Sequence, residues 1–91
     1  SSQAPEAPLE VMIRADGSLL IRDRADAGEG EAISEVALSS TVRKLQKDHP
    51  DRPVVISADK SVRYESVMRV MDTLQRLGVA RVGLLVKPAE P

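Results

Sequence analysis

Pro53 to Lys87, PVVISADKSVRYESVMRVMDTLQRLGVARVGLLVK, decides the fold, because a strand, a helix and a second strand follow one another within it. Val54-Val55-Ile56 is a β-branched run of the kind that suits a pleated, buried surface. Tyr64, Val67, Met68, Met71 and Leu74 recur at helical spacing, and Val70 and Leu77 widen the stripe, so a helix is predicted over Tyr64 to Leu77. Glu65, Arg69, Asp72 and Arg76 face away from that stripe, with each acid four residues before an arginine and therefore able to pair with it. Gly78 suits the left-handed position that closes a helix, and a strand resumes from Arg81 to Val86. Such a unit is almost always a right-handed crossover, which predicts parallel strands with the helix over one face.

Working outward, Leu9, Val11 and Ile13 alternate with Glu10, Met12 and Arg14, the period-two pattern of a strand with one buried face. Asp16-Gly17 then separates this segment from Ser18-Leu19-Leu20-Ile21, and an Asp-Gly pair between apolar strands predicts a hairpin closed by a primed turn. Asp23 to Gly30 is polar and reads as a crossing loop. From about Ser34 to Asp48, Val36 or Ala37, Leu38, Val42 and Leu45 mark an amphipathic helix, with Arg43, Lys44 and Lys47 complementing its carboxyl end. Pro50 forbids continuation and pushes His49 out of the α region. The elements predict an α/β two-layer sandwich: a four-stranded mixed sheet with two helices on one face, in the order β-β-α-β-α-β. Residues 1–8 read as a flexible linker, 9–87 as the domain and 88–91 as a tail.

Composition narrows the function. Thirteen basic against fourteen acidic residues, interleaved along the chain, leave a net charge of −1, and Tyr64 is the single aromatic. A nucleic-acid binder would show a basic stripe and usually stacking aromatics, so that class is set aside. Cysteine is absent, which removes disulfides and thiolate chemistry. Gly28-x-Gly30 lacks the third glycine and the Lys-Ser or Lys-Thr of a phosphate loop; His49 has no second His or Cys with which to share a metal. Ser57 and Ser61 lack a nucleophile-elbow context. No enzyme, cofactor or metal is expected.

The residues that invite a functional role lie around the last two strands. Asp59 and Lys60 follow the third strand near its carboxyl end, where ligands bind in open α/β sheets, although Asp59 also suits a cap on Ser61 and Val62. Tyr64, in the first helical turn, is suited to anchoring the second helix on the sheet, with partner contact as the other role; Met68 and Met71 are expected to fill core gaps. A sheet covered on one face leaves edge strands to which an extended peptide can add itself. The candidate edges are the last strand, with Arg81, Val82, Leu84 and Val86, and the second strand, Ser18 to Ile21.

Ala58-Asp59-Lys60, Tyr64, Val70-Met71-Asp72-Thr73-Leu74, Gly78 and Val82-Gly83-Leu84 resemble the periplasmic domain of the ExbD/TolR family, and Leu9-Glu10-Val11 with Ala15-Asp16-Gly17-Ser18 resembles its opening hairpin. The resemblance implies a non-catalytic interaction and homodimerisation domain of a proton-motive-force-driven motor subunit. It further implies a single-pass protein of the inner membrane of a Gram-negative bacterium, with this domain in the periplasm and residues 1–8 leading from a transmembrane helix. The ion-coupling aspartate would sit in that helix, outside this chain. Asp59-Lys60, Tyr64-Glu65 and the Val70 to Leu74 run are nearer the ExbD branch, which implies ExbB-like and TonB-like partners. Gly78-Val79 and the Gly83 to Pro88 ending are as similar to the TolR branch, whose partners are TolQ-like and TolA-like proteins and peptidoglycan. Arg63 and the long loop from Asp23 to Gly30 depart from the family pattern.

Overall fold

The computed structural model describes residues 7–26 and 28–87. Seven elements follow one another: β1 (Leu9–Ile13), β2 (Leu19–Asp23), β3 (Glu31–Ile33), α1 (Glu35–Gln46), β4 (Val54–Asp59), α2 (Tyr64–Arg76) and β5 (Val82–Lys87). They form one mixed sheet in the order β3-β2-β1-β4-β5. β1 is antiparallel to β2 and parallel to β4, β3 is antiparallel to β2, and β5 is parallel to β4.

Register explains the core. Val11 lies beside Ile21 on one side and Ile56 on the other, and Ile13 beside Leu19 and Ala58, so the alternating apolar residues of three strands share one face. Leu38 and Val42 of α1 and Val67, Val70 and Leu74 of α2 close over that face. Met68, Met71 and Leu77 pack at its margin as partly buried fillers. Between the helices Arg69 pairs with Glu35 at 3.0 Å rather than with Glu65, whereas Asp72 and Arg76 pair at 3.1 Å within α2. Ser34 caps α1 by accepting from the Ala37 N–H at 3.1 Å. Gly78, at φ 78°, turns the chain out of α2 while Val79 N–H reaches the Leu74 carbonyl at 3.2 Å.

Two expectations are corrected here. The sheet has five strands, not four, because Glu31–Ile33 pairs with β2 and leaves it interior rather than at an edge. Gly30 makes this pairing possible: at φ 100° it folds the chain so close to β2 that a Cβ would stand 2.9 Å from the Ile21 carbonyl oxygen. The first hairpin is also not closed by a primed turn. Only Gly17 has positive φ there, Arg14 N–H bonds the Ser18 carbonyl at 2.9 Å, and the Asp16 carboxylate accepts from Ser18 N–H and hydroxyl at 2.9 and 2.6 Å. This makes a three-residue loop with glycine at its left-handed end.

Leu74→Ala is expected to cost about 2–5 kcal/mol by urea denaturation, because it empties a fully buried position under the helical roof. Val36→Ala, on the solvent side of α1, should stay within ~0.5 kcal/mol of the native protein.

Candidate functional site

Among the described residues β5 has β4 as its only sheet neighbour, so its outer backbone N–H and C=O groups have no ladder partner there. Val82, Leu84 and Val86 register with Val54, Ile56 and Ala58 on the helix side, while Gly83, Leu85 and Lys87 register with Val55, Ser57 and Asp59 on the open side. Val82 touches the core margin. Beyond it the helices no longer cover the sheet, and Leu84, Leu85 and Val86 are 49%, 56% and 56% exposed. Three successive aliphatic residues are thus presented on both faces of an edge strand.

The other sequence-predicted residues surround this strip. Asp59 ends β4 opposite Lys87, and its carboxylate accepts from Ser61 N–H and hydroxyl at 2.9 and 2.7 Å. The Ser61 N–H, then its hydroxyl, hold the Asp59 carboxyl below its ordinary value, with Lys87 adding to the effect. Asp59 is thus spent on the turn into α2, and Lys60 beside it is exposed. Arg81 lies at the opposite end of β5, just before its first residue, and is exposed. Tyr64 does not anchor α2. It is 74% exposed, because its helical turn starts past the end of β4, and Val62 packs against the core there instead.

A polar network on the open face was not foreseen. Glu10, only 3% exposed, accepts from Arg22 Nη2 at 2.6 Å and Arg24 Nη1 at 3.1 Å. Burial pushes its carboxyl up, but the two guanidiniums outweigh this and hold it below the ordinary value. Ser57 is buried on the same face, with its hydroxyl making no hydrogen bond among the described residues. At the amino-terminal end of β1, buried Arg52 pairs with Asp23 and donates through Nε to the Ala7 carbonyl at 2.8 Å. Pro8 O accepts from Arg24 N–H, and Leu9 N–H donates to Pro53 O, both at 3.1 Å. These bonds fix where the chain enters the central strand. Position 10 alternates correctly for the open face, but only the pairing register reveals that two arginines meet it.

Among the described residues no group of three or more His, Cys, Asp or Glu could hold a metal ion, and no helix is long and apolar enough to cross a membrane. What the surface offers is backbone pairing and apolar contact.

The family described as Biopolymer transport protein ExbD/TolR matches residues 1–89. The chain belongs to the ExbD/TolR family. It is 30% identical over 81 residues to Biopolymer transport protein ExbD of Escherichia coli K12 and to that of Shigella flexneri, covering 89% of this chain and 52% of each relative. To ExbD of Pseudomonas putida it is 27% identical over 81 residues, covering 89% of this chain and 53% of the relative. The chain therefore spans about half the length of these ExbD proteins. The ExbD/TolR family is one of biopolymer transport components, and the relatives named here are all ExbD proteins.

Because Arg22 and Arg24 depress Glu10, its contribution to stability is complete above its ordinary value of 4.5 and is lost as pH falls through the lower folded value. Glu10→Gln should accordingly be less stable than the native protein at pH 7, by on the order of 1–3 kcal/mol. The gap should close as denaturation curves are taken below pH 4.5; a gap independent of pH would show that the ion network contributes nothing.

Proposed function

We propose that this chain is the periplasmic interaction and dimerisation domain of an ExbD-like subunit of a proton-motive-force-driven inner-membrane motor, acting with ExbB-like and TonB-like proteins. The motor subunit is anchored by one transmembrane helix, and this domain is its periplasmic docking module. The ExbD names of its relatives support the branch. One structural observation carries the docking mode: β5 is an unroofed edge with Leu84, Leu85 and Val86 exposed.

An extended segment adds itself to β5 as a sixth strand. Main-chain hydrogen bonds supply pairing, and side chains on the helix side meet Leu84 and Val86 while those on the open side meet Leu85. Arg81 and Lys87 at the two ends of the strand discourage uncontrolled extension and set register against acidic neighbours. Either a TonB-like linker or β5 of a second copy can take this place, so dimerisation and partner capture draw on the same backbone groups.

Titration of the isotopically labelled full chain with a TonB-like linker peptide is expected to move the amide signals of Val82–Lys87 and Val54–Asp59. Leu84→Lys and Val86→Lys, at half-exposed positions, should fold normally and weaken the peptide about tenfold, or ~1.4 kcal/mol. Perturbations confined to α1 and α2, or native affinity in both variants, would contradict docking at β5.

A further inference from the structure

Cations stand at both ends of β5, and they decide which strand can pair with it. Arg81, whose carbonyl accepts from Val54 N–H at 3.0 Å, continues the ladder one residue before β5, and Lys87 ends it; both are exposed. By alternation both fall on the open side of the sheet with Gly83 and Leu85 between them, while Val82, Leu84 and Val86 take the helix side. Their neighbours on β4 do not cancel them. The register sets uncharged Pro53 across from Arg81. Across from Lys87 is Asp59, but its carboxylate is bonded to Ser61 and exposed Lys60 follows it, so two ammonium groups stand there against one carboxylate.

Symmetry turns these charges against self-pairing. A two-fold axis normal to the sheet adds β5 of a second copy antiparallel, and residues opposite each other then point to the same side. The register that pairs the whole strand in this way sets Leu84 against Leu84, Val82 against Val86, and Arg81 against Lys87 at both ends. Sliding by two residues avoids the like charges only by shortening the ladder, to Gly83–Lys87 or to Arg81–Leu85. An axis along the strand gives a parallel pair with Arg81 beside Arg81 and Lys87 beside Lys87. Every full-length symmetric pairing therefore opposes like charges, which destabilises neighbouring strands. We propose that Arg81 and Lys87 make β5 selective for an extended partner segment with carboxylates at both ends, six residues apart as the two cations are, in preference to a second copy of itself. That spacing puts both acids on the open side, one against each cation, and leaves apolar side chains over Val82, Leu84 and Val86. Since the two ends carry the same sign, charge fixes register and not direction. The inference rests on β5 being a docking edge and adds which strand wins it.

The test is amide-shift titration of the labelled full chain with three capped heptapeptides that carry valine at the second, fourth and sixth positions, threonine at the third and fifth, and glutamate, glutamine or lysine at both ends. The glutamate peptide is expected to shift Val82–Lys87 and to bind at least about tenfold more tightly than the lysine peptide at ~50 mM salt, with the difference shrinking at ~500 mM. Arg81→Glu with Lys87→Glu, both at exposed positions, should reverse that order while the unfolding midpoint stays native. Arg81→Glu alone sets a carboxylate against Lys87 at each end of the antiparallel pair. Sedimentation equilibrium should then show self-association about tenfold tighter than in the native chain, and the double variant should lose that gain. Equal affinity of the three peptides at β5, or unchanged self-association of Arg81→Glu, would overturn the selectivity while leaving docking at β5 standing. Shifts confined to other elements, or no binding of any peptide, would overturn both.

Discussion

The width of the helical roof governs this molecule. Five strands at ~4.8 Å spacing set the outermost pair about 19 Å apart, whereas two packed helices have axes only about 9 Å apart. The helices therefore seal β1, β2 and β4, whose inward residues are almost all buried, and leave the outer strands thinly covered. β1 is central because Leu9, Val11 and Ile13 match apolar residues on both sides, joining the hairpin to the strand, helix, strand unit. Without that junction neither half has a core of its own.

Edges left by this mismatch are chemically distinct. β5 is aliphatic and bracketed by cations, while β3 is short and bordered by acids. Ion pairs play a different part. Glu10 with its two arginines pins β2 to β1, and Arg52 with Asp23 helps hold the entering chain at Ala7 and Pro8. A pull applied to the chain before Ala7 would thus enter the middle of the sheet.

Much of this was legible in the residues. The α2 stripe, Gly78 and the β-branched run of β4 are strong local signals that agree with their tertiary setting, and of the two candidate edges the last strand is one while the second strand is not. β3 was not legible: Glu31-Ala32-Ile33 has one large apolar residue, and it becomes a strand only because β2 offers an edge and Gly30 permits the approach. Tyr64 misled because helical periodicity does not say where the sheet beneath the helix ends. Arg69 pairs across to Glu35 rather than along the helix to Glu65, since the neighbouring helix brings an acid within 3.0 Å. The Glu10 network depends on register between segments distant in sequence, which no local pattern encodes.

The central claim, that β5 is an open edge awaiting another polypeptide, is tested most directly by residue-resolved hydrogen exchange. In the monomeric chain the amides of β1 and β4 should exchange slowly, at rates approaching global unfolding, while the outward amides of β5 exchange faster by orders of magnitude and become slow when a partner segment binds. Protection of every β5 amide equal to that of β4 in the free monomer, unchanged on adding partner, would contradict it.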